Sequence, residues 1–329
     1  MRRMLAFTSD HHDLDLPPGH RFPAQKYALL REAVARDWPS VRLQPAPAAS
    51  DGELALVHAP AYIAAVSQGT LTPAQQREIG FPWSPRVAER SRRSVGATIA
   101  AARAALEEGV AANLAGGTHH AYADKGSGYC VYNDVAVAAR LMQAEWSRRH
   151  RHPLQVLVID LDVHQGNGTA AIFAGDRSVF TFSMHGARNF PFRKEASDLD
   201  VELDDGCDDL SYLDELDRGL DQVWARTAAA PPGLVFYLAG ADPHEGDRLG
   251  RLRLSAAGLA ERDRRVLEAL RLRGWPVALS MAGGYGHDIG VTVGLQSATI
   301  GLALQSWQAW RHAGSARRGE GAGMEQSPP

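Results

Sequence analysis

Val156-Leu-Val-Ile-Asp-Leu-Asp-Val-His-Gln-Gly-Asn-Gly168 is the stretch on which the fold turns. It opens as an unbroken apolar run, the pattern of a strand buried on both faces, as in a parallel sheet covered by helices. It then delivers Asp160, Asp162 and His164 at alternate positions and ends in glycines, where the chain must turn. Alternate residues of an extended chain share one face, so three ligand-type groups point the same way at the strand's end. Carboxylate oxygen with imidazole nitrogen is a donor set suited to zinc or a similar divalent ion.

Working outward, the same grammar recurs. Met4 to Thr8 reads as a first strand, followed by a Pro- and Gly-rich loop and a helix from about Ala24 with Tyr27, Leu30 and Val34 on one face. Residues 45–52, rich in Pro, Ala and Ser, read as a surface connection, and His58 to Gln68 as a short helix. From Val87 the steps Val95, Ile99, Leu106 and Val110 predict a long helix, leading into a short strand at Asn113-Leu-Ala-Gly-Gly117. A helix through Val135, Ala139, Met142 and Trp146 precedes the central stretch. Beyond it come a strand at Val179 to Met184 ending at His185, a helix through Tyr212, Leu216, Leu220 and Val223, and a strand at Leu234 to Leu238. Ser255 caps a helix closed by Gly274, Val277 to Met281 forms another strand, and a helix spans about Thr292 to Trp310. Strands alternating with helices predict an α/β fold: an open, mostly parallel sheet with helices on both faces, in one domain over residues 1–312. Residues 313–329, rich in Gly, Ser, Arg and Pro, read as a disordered tail.

Composition excludes several classes. The chain has 329 residues, 45% hydrophobic and 22% charged, with a net charge of −3, so no basic surplus points to nucleic acid. Two cysteines, Cys130 and Cys207, make no disulfide framework and fit a reducing compartment. There is no leader-like apolar core at the N-terminus and no run of membrane-spanning length, so the expectation is a soluble, cytoplasmic protein. Oligomeric state leaves no mark on the sequence.

In open parallel sheets, ligands bind beyond the carboxyl ends of the strands. Five predicted strand exits carry reactive side chains: His119 and His120; Asp160, Asp162 and His164; His185; Asp242; and Tyr285. Asp162, His164 and Asp242 supply a three-ligand set that leaves a coordination position open for water, the mark of a catalytic zinc. His119 and His120 are candidate proton shuttles, and Tyr285, after Gly283-Gly284, a candidate oxyanion donor. These are the parts that metal-assisted amide hydrolysis requires. His185, His11, His12 and His58 read as structural, surface or loop residues, and Cys130 as a small buried filler.

Taken together, Gly116-Gly-Thr-His-His-Ala121, Gly128-Tyr-Cys130, Asp160-Leu-Asp-Val-His-Gln-Gly-Asn-Gly168, Ala239-Gly-Ala-Asp242 and Gly283-Gly-Tyr285 resemble the zinc-dependent histone deacetylase family. The resemblance runs in order from about residue 10 to 310, and Glu245-Gly-Asp-Arg-Leu-Gly250 is most like the class IV branch and its bacterial relatives. It implies an arginase-like fold and one catalytic zinc on Asp162, His164 and Asp242. It implies His120 as general base, His119 as electrostatic assistant with Asp160 as its partner, and Tyr285 as donor to the substrate carbonyl. Gly128, Tyr129, Phe190 and Gly283 would line the tunnel for an acyl-lysine stem. A structural potassium is also implied, on Asp160, Ser183 and backbone carbonyls of Asp162, His164 and Met184. Arg21 is a candidate for a channel beneath the site.

The sequence departs from that family at one telling place. Many relatives have a carboxylate partner for the second histidine where this chain has the amide Asn167, and an amide orients a ring without supplying charge. The implied function is removal of an acyl group from an acylated protein lysine or small amine. Alternatives are an acetylpolyamine amidohydrolase and a catalytically silent acyl-ligand binder of acetoin-utilisation type. An arginase-like dimanganese ureohydrolase is disfavoured because Gln165 and Gly166, and not the further aspartate a second metal needs, follow His164.

Overall fold

The computed structural model describes residues 3–12, 14 and 16–322. In chain order the elements are β1 (Met4–Thr8), α1 (Lys26–Asp37), β2 (Val41–Pro45), α2 (Asp51–Leu54), α3 (Pro60–Gln68), α4 (Pro73–Ile79), α5 (Pro85–Glu108), β3 (Val110–Asn113) and α6 (Asp134–His150). They continue as β4 (Val156–Asp160), α7 (Asn167–Phe173), β5 (Val179–Gly186), β6 (Leu199–Leu203), α8 (Asp209–Thr227), β7 (Leu234–Leu238), α9 (Ala256–Arg273), β8 (Val277–Ser280) and α10 (Ile289–Ala322).

The apolar run at Val156 forms β4, every residue of which is buried. It lies inside an eight-stranded sheet of order β2-β1-β3-β8-β7-β4-β5-β6. Every pairing is parallel, so all strand ends face one rim. Helices cover both faces. One core layer packs Val95, Ile99, Val135 and Met142 of α5 and α6 against Val158, Phe236 and Ala278. The other packs Leu30, Leu216, Val266 and Ile300 of α1, α8, α9 and α10 against Leu157, Ile159, Val235 and Leu279. Each such aliphatic side chain, fully buried, contributes about 1.5–3 kcal/mol.

Local signals set the boundaries. Ser255 caps α9 by accepting from Gly258 N–H, and Gly274 ends it in the left-handed region, φ 70°. Gly109 closes α5 at φ 89°, so Val110 belongs to β3 rather than to the helix, and β3 ends where the strand at 113–117 was expected to begin. The segment 45–52 is no loose surface connection either. Ala46 and Ala49 are buried, their carbonyls accept from Arg93 and Arg92, and a Cβ on Gly96 of α5 would overlap the Pro47 carbonyl. α10 continues past the helix end expected near Trp310 to Ala322; the rest of the C-terminal tail, 323–329, lies outside the described residues. No helix among the described residues is long and apolar enough to cross a membrane.

Candidate active site

Two neighbouring strand ends, those of β4 and β7, build the metal-type cluster. Asp160 is the last residue of β4, and Asp162 and His164 follow in the bend after it, so the alternation that sets their direction is that of a tight turn rather than of continued strand. Asp242 arrives from the loop after β7. One ligand atom from each of Asp162, His164 and Asp242 lies within 4.8 Å of the others, and all three residues are buried. Among the described residues this is the single such group.

The donor set fits a cation. Asp162 accepts from His164 N–H at 2.9 Å through Oδ1 and from Gly283 N–H at 2.7 Å through Oδ2. Asp242 Oδ1 accepts from Val163 N–H at 2.9 Å, whereas its buried Oδ2 receives no hydrogen bond. His164 Nδ1 lies 3.0 Å from Asp162 Oδ1 and 3.2 Å from Asp242 Oδ2, so its one ring edge faces both carboxylates. Burial and the charge of Asp162 push the Asp242 carboxyl up to about 7, the signature of crowded carboxylates that a cation relieves.

The histidine pair follows β3. Asp134, at the start of α6, organises the turn before it by accepting from Gly117 N–H at 3.0 Å, Thr118 N–H at 2.8 Å and the Thr118 hydroxyl at 2.7 Å. His119 Nδ1 meets Asp160 Oδ2 at 2.6 Å; burial opposes charge on the ring, but Asp160 and Asp162 lift it to about 9. His120 Nδ1 meets Asn167 Oδ1 at 2.7 Å, and Asn167 Nδ2 donates in turn to the Tyr122 hydroxyl at 3.0 Å. An amide oxygen only accepts, so the proton sits on His120 Nδ1 and the lone pair on Nε2. Burial, together with the neighbouring His119 and His164 rings, holds His120 well below its ordinary value.

Tyr285 closes the site from the loop after β8. Its ring centroid is 6.5 Å from that of His164 and 6.0 Å from that of Tyr129. The carbonyls of this loop are all held. Lys26 Nζ donates to Ala282 O at 3.4 Å and Gly284 O at 3.2 Å, Gln296 Nε2 reaches those of Met281 and Gly283, and Arg248 Nε takes that of Tyr285 at 2.8 Å. Asp247 accepts from Tyr285 N–H at 2.6 Å. Ala282 holds φ 48°, uncommon for a residue with a Cβ, which this clamp sustains.

A cavity of about 590 Å³ opens over the cluster, with His120, His164, Tyr285, Gly128, Tyr129 and Phe190 on its wall. The Phe190 ring stands edge-on to His120, centroids 4.9 Å apart. Gly283 is not on this wall; it lies beneath the carboxylates. His185 sits inside β5 rather than past its end, with Nδ1 on the Ser183 hydroxyl at 2.9 Å. Met184, also within β5, is buried. His58 does lie in the loop between α2 and α3, but it is buried rather than at the surface and accepts from Asn133 N–H at 3.0 Å. Arg21 is exposed and contributes only its carbonyl, to Arg248. Gln165 turns away from the cluster to Glu195 and Asp200. Lys26, Gln296 and Asp134 were missed from the sequence, since no local motif marks them, whereas Asp247 lay in the quoted Glu245–Gly250 segment.

An open parallel sheet of this kind, covered on both faces, is the arginase-like architecture of deacetylase hydrolases. The chain belongs to the histone deacetylase family: residues 20–298 match the histone deacetylase domain. A protein of unassigned function from Picosynechococcus is 46% identical over 83% of this chain and 89% of its own length. Histone deacetylase 2 of Arabidopsis thaliana is 32% identical over 72% of this chain, and the acetoin utilization protein AcuC of Bacillus subtilis 34% identical over 62%. The chain spans 62% of the Arabidopsis protein and 56% of the Bacillus one. A solved HDAC homologue complexed with SAHA superposes with a TM-score of 0.76 at 23% identity, covering 92% of this chain and 84% of that one, a likeness of fold.

Proposed function

We propose that this protein is a zinc-dependent deacylase that hydrolyses an acyl-amine, most simply an acyl-lysine, by activated water. The observation that carries the reading is the buried Asp162, His164 and Asp242 set beside an uncharged His120 at the floor of an aromatic-walled cavity. A divalent ion held by those three side chains lowers the pKa of water it binds and polarises a carbonyl.

The rest falls to the chain's own groups. His120 Nε2, the ring nitrogen with the lone pair, removes a proton from the attacking water and returns it to the departing amine. His119, charged through Asp160, lends positive potential beside it. The Tyr285 hydroxyl donates to the oxygen that becomes anionic. Gly128, Tyr129 and Phe190 form the slot for an aliphatic stem, excluding water from it. Asp160, Ser183 and the carbonyls of Asp162, His164 and Met184 are assigned to a structural potassium, a cation that would further offset the buried carboxylates.

One metal per chain, rather than the two of a ureohydrolase, is supported by the single ligand group among the described residues, with no further aspartate following His164 in the stretch that ends at Gly168. The test is hydrolysis by zinc-loaded protein across acetyl, butyryl and long fatty acyl groups on lysine peptides and on a polyamine, against Tyr285→Phe. Turnover that disappears in the variant sustains the reading. Stoichiometric zinc with no turnover on any member overturns it and favours a silent acyl-ligand binder.

A further inference from the structure

The cavity's floor and wall are accounted for by the proposed reaction, but its mouth is not. Three arginines reach it from separate segments: Arg77 in the last turn of α4, Arg188 after β5 and Arg251 in the segment after β7. All three are exposed. Arg77 has no ion pair among the described residues. Arg251 and Arg188 share one carboxylate, Asp205, at 3.1 and 3.9 Å. The one carboxylate on the lining, Glu78, is taken by Lys125 at 2.7 Å. The mouth is therefore locally positive on a chain whose net charge is −3. An acidic groove with Asp204, Asp208, Asp214 and Glu215 adjoins this mouth through Asp205, which lines the groove and is the carboxylate that Arg251 and Arg188 share, but none of its carboxylates is on the mouth's own lining.

We propose that the acyl-amine reaches this site on an acidic carrier, a lysine flanked by Asp or Glu in a protein segment, read by the rim of Arg77, Arg188 and Arg251. This rests on the deacylase reading above and names its substrate class. Guanidinium groups pair readily with carboxylates and raise the encounter rate of an anionic carrier. A polyamine or a lysine-rich tail meets three cations there and finds no free carboxylate, so the rim selects against it. Phe192, 87% exposed on the same lining, extends the contact surface past the lysine slot. Arginines spread over three segments suit an extended chain; one small anion would need them convergent.

The experiment uses acyl-lysine peptides with acidic, neutral and basic flanks, plus an acylated polyamine, with zinc-loaded protein and the Arg77→Glu/Arg188→Glu variant. Both kcat/KM and binding by fluorescence polarisation are read at low and high salt. The expected result is about a tenfold preference for acidic over basic flanks at low salt, shrinking at high salt and reversing in the variant. Equal values across flanks, or preference for basic ones, overturn the inference while leaving the deacylase reading intact. Salt-sensitive selective binding of the acidic peptide without any turnover sustains the rim's role and sinks the deacylase reading instead.

Discussion

His120 Nδ1 rests on the amide oxygen of Asn167 at 2.7 Å, so the proposed base is oriented by a neutral partner, whereas its neighbour His119 is held by the Asp160 carboxylate at 2.6 Å. Asp160 helps lift His119 to about 9, while burial and the neighbouring His119 and His164 rings, with no carboxylate partner to offset them, hold His120 well below its ordinary value. That separation leaves the charge on His119 and a free lone pair on His120.

Exchanging Asn167→Asp tests the assignment. A carboxylate stabilises the protonated ring and raises its pKa, so more alkaline solution is needed to free the base. The acid limb of the kcat/KM profile is expected to move up by about one to two pH units. An unmoved limb would show that His120 is not the group titrating there.

Lys26 is buried, its ammonium 5.2 Å from the centre of the Tyr285 ring and hydrogen-bonded to the carbonyls on either side of Gly283. Lys26→Met removes that hold at similar volume. The phenol is then less well placed, and kcat should fall about tenfold with KM little changed. Thermal stability should fall by about 1–3 kcal/mol, because the carbonyls of Ala282 and Gly284 lose their donor. A rise in KM at constant kcat would assign Lys26 to substrate binding instead.

Arg262 ties the floor together from beneath. It is fully buried, donates to Leu161 O at 3.2 Å and Gly240 O at 2.7 Å, and pairs with Asp263 at 2.8 Å. Arg262→Met strands both carbonyls and leaves the Asp263 charge with only the Tyr237 and Thr299 hydroxyls, and denaturant unfolding should register a loss of about 3–5 kcal/mol. Because those carbonyls precede Asp162 and lie two residues before Asp242, zinc affinity should weaken with it.

Metal retention can be read without any substrate. In Asp242→Ala, equilibrium dialysis followed by elemental analysis should find zinc lost at concentrations where the parent chain keeps one equivalent. Full retention would place the ion elsewhere.

The central strands were legible because burial on both faces writes them as solid apolar runs: Val156 to Ile159, Leu234 to Leu238 and Val277 to Leu279. The two strands passed over, β2 and β6, are the sheet's edges. There Val41-Arg-Leu-Gln-Pro45 and Leu199-Asp-Val-Glu-Leu203 alternate polar with apolar, a weaker signal than a continuous run. α2 and α4, four and seven residues long, are too short to develop a period. The ligand cluster was readable because its members sit on short motifs. The clamp on Tyr285 was not, because Lys26 and Gln296 lie 256 and 13 or more residues from the carbonyls they hold.

Gly283 and Gly240 leave no room for a side chain beside Asp162 and Asp242: a Cβ on Gly283 would overlap Asp242 Oδ2, and one on Gly240 would lie 2.8 Å from Asp162 Oδ2. The floor is thus moulded from main chain pressed against carboxylate, with no slack to repack. Lineages of this fold are free to redraw the cavity mouth one residue at a time, whereas any change of chemistry must begin by breaking that floor. Diversification should therefore run through what is admitted long before it touches what is done.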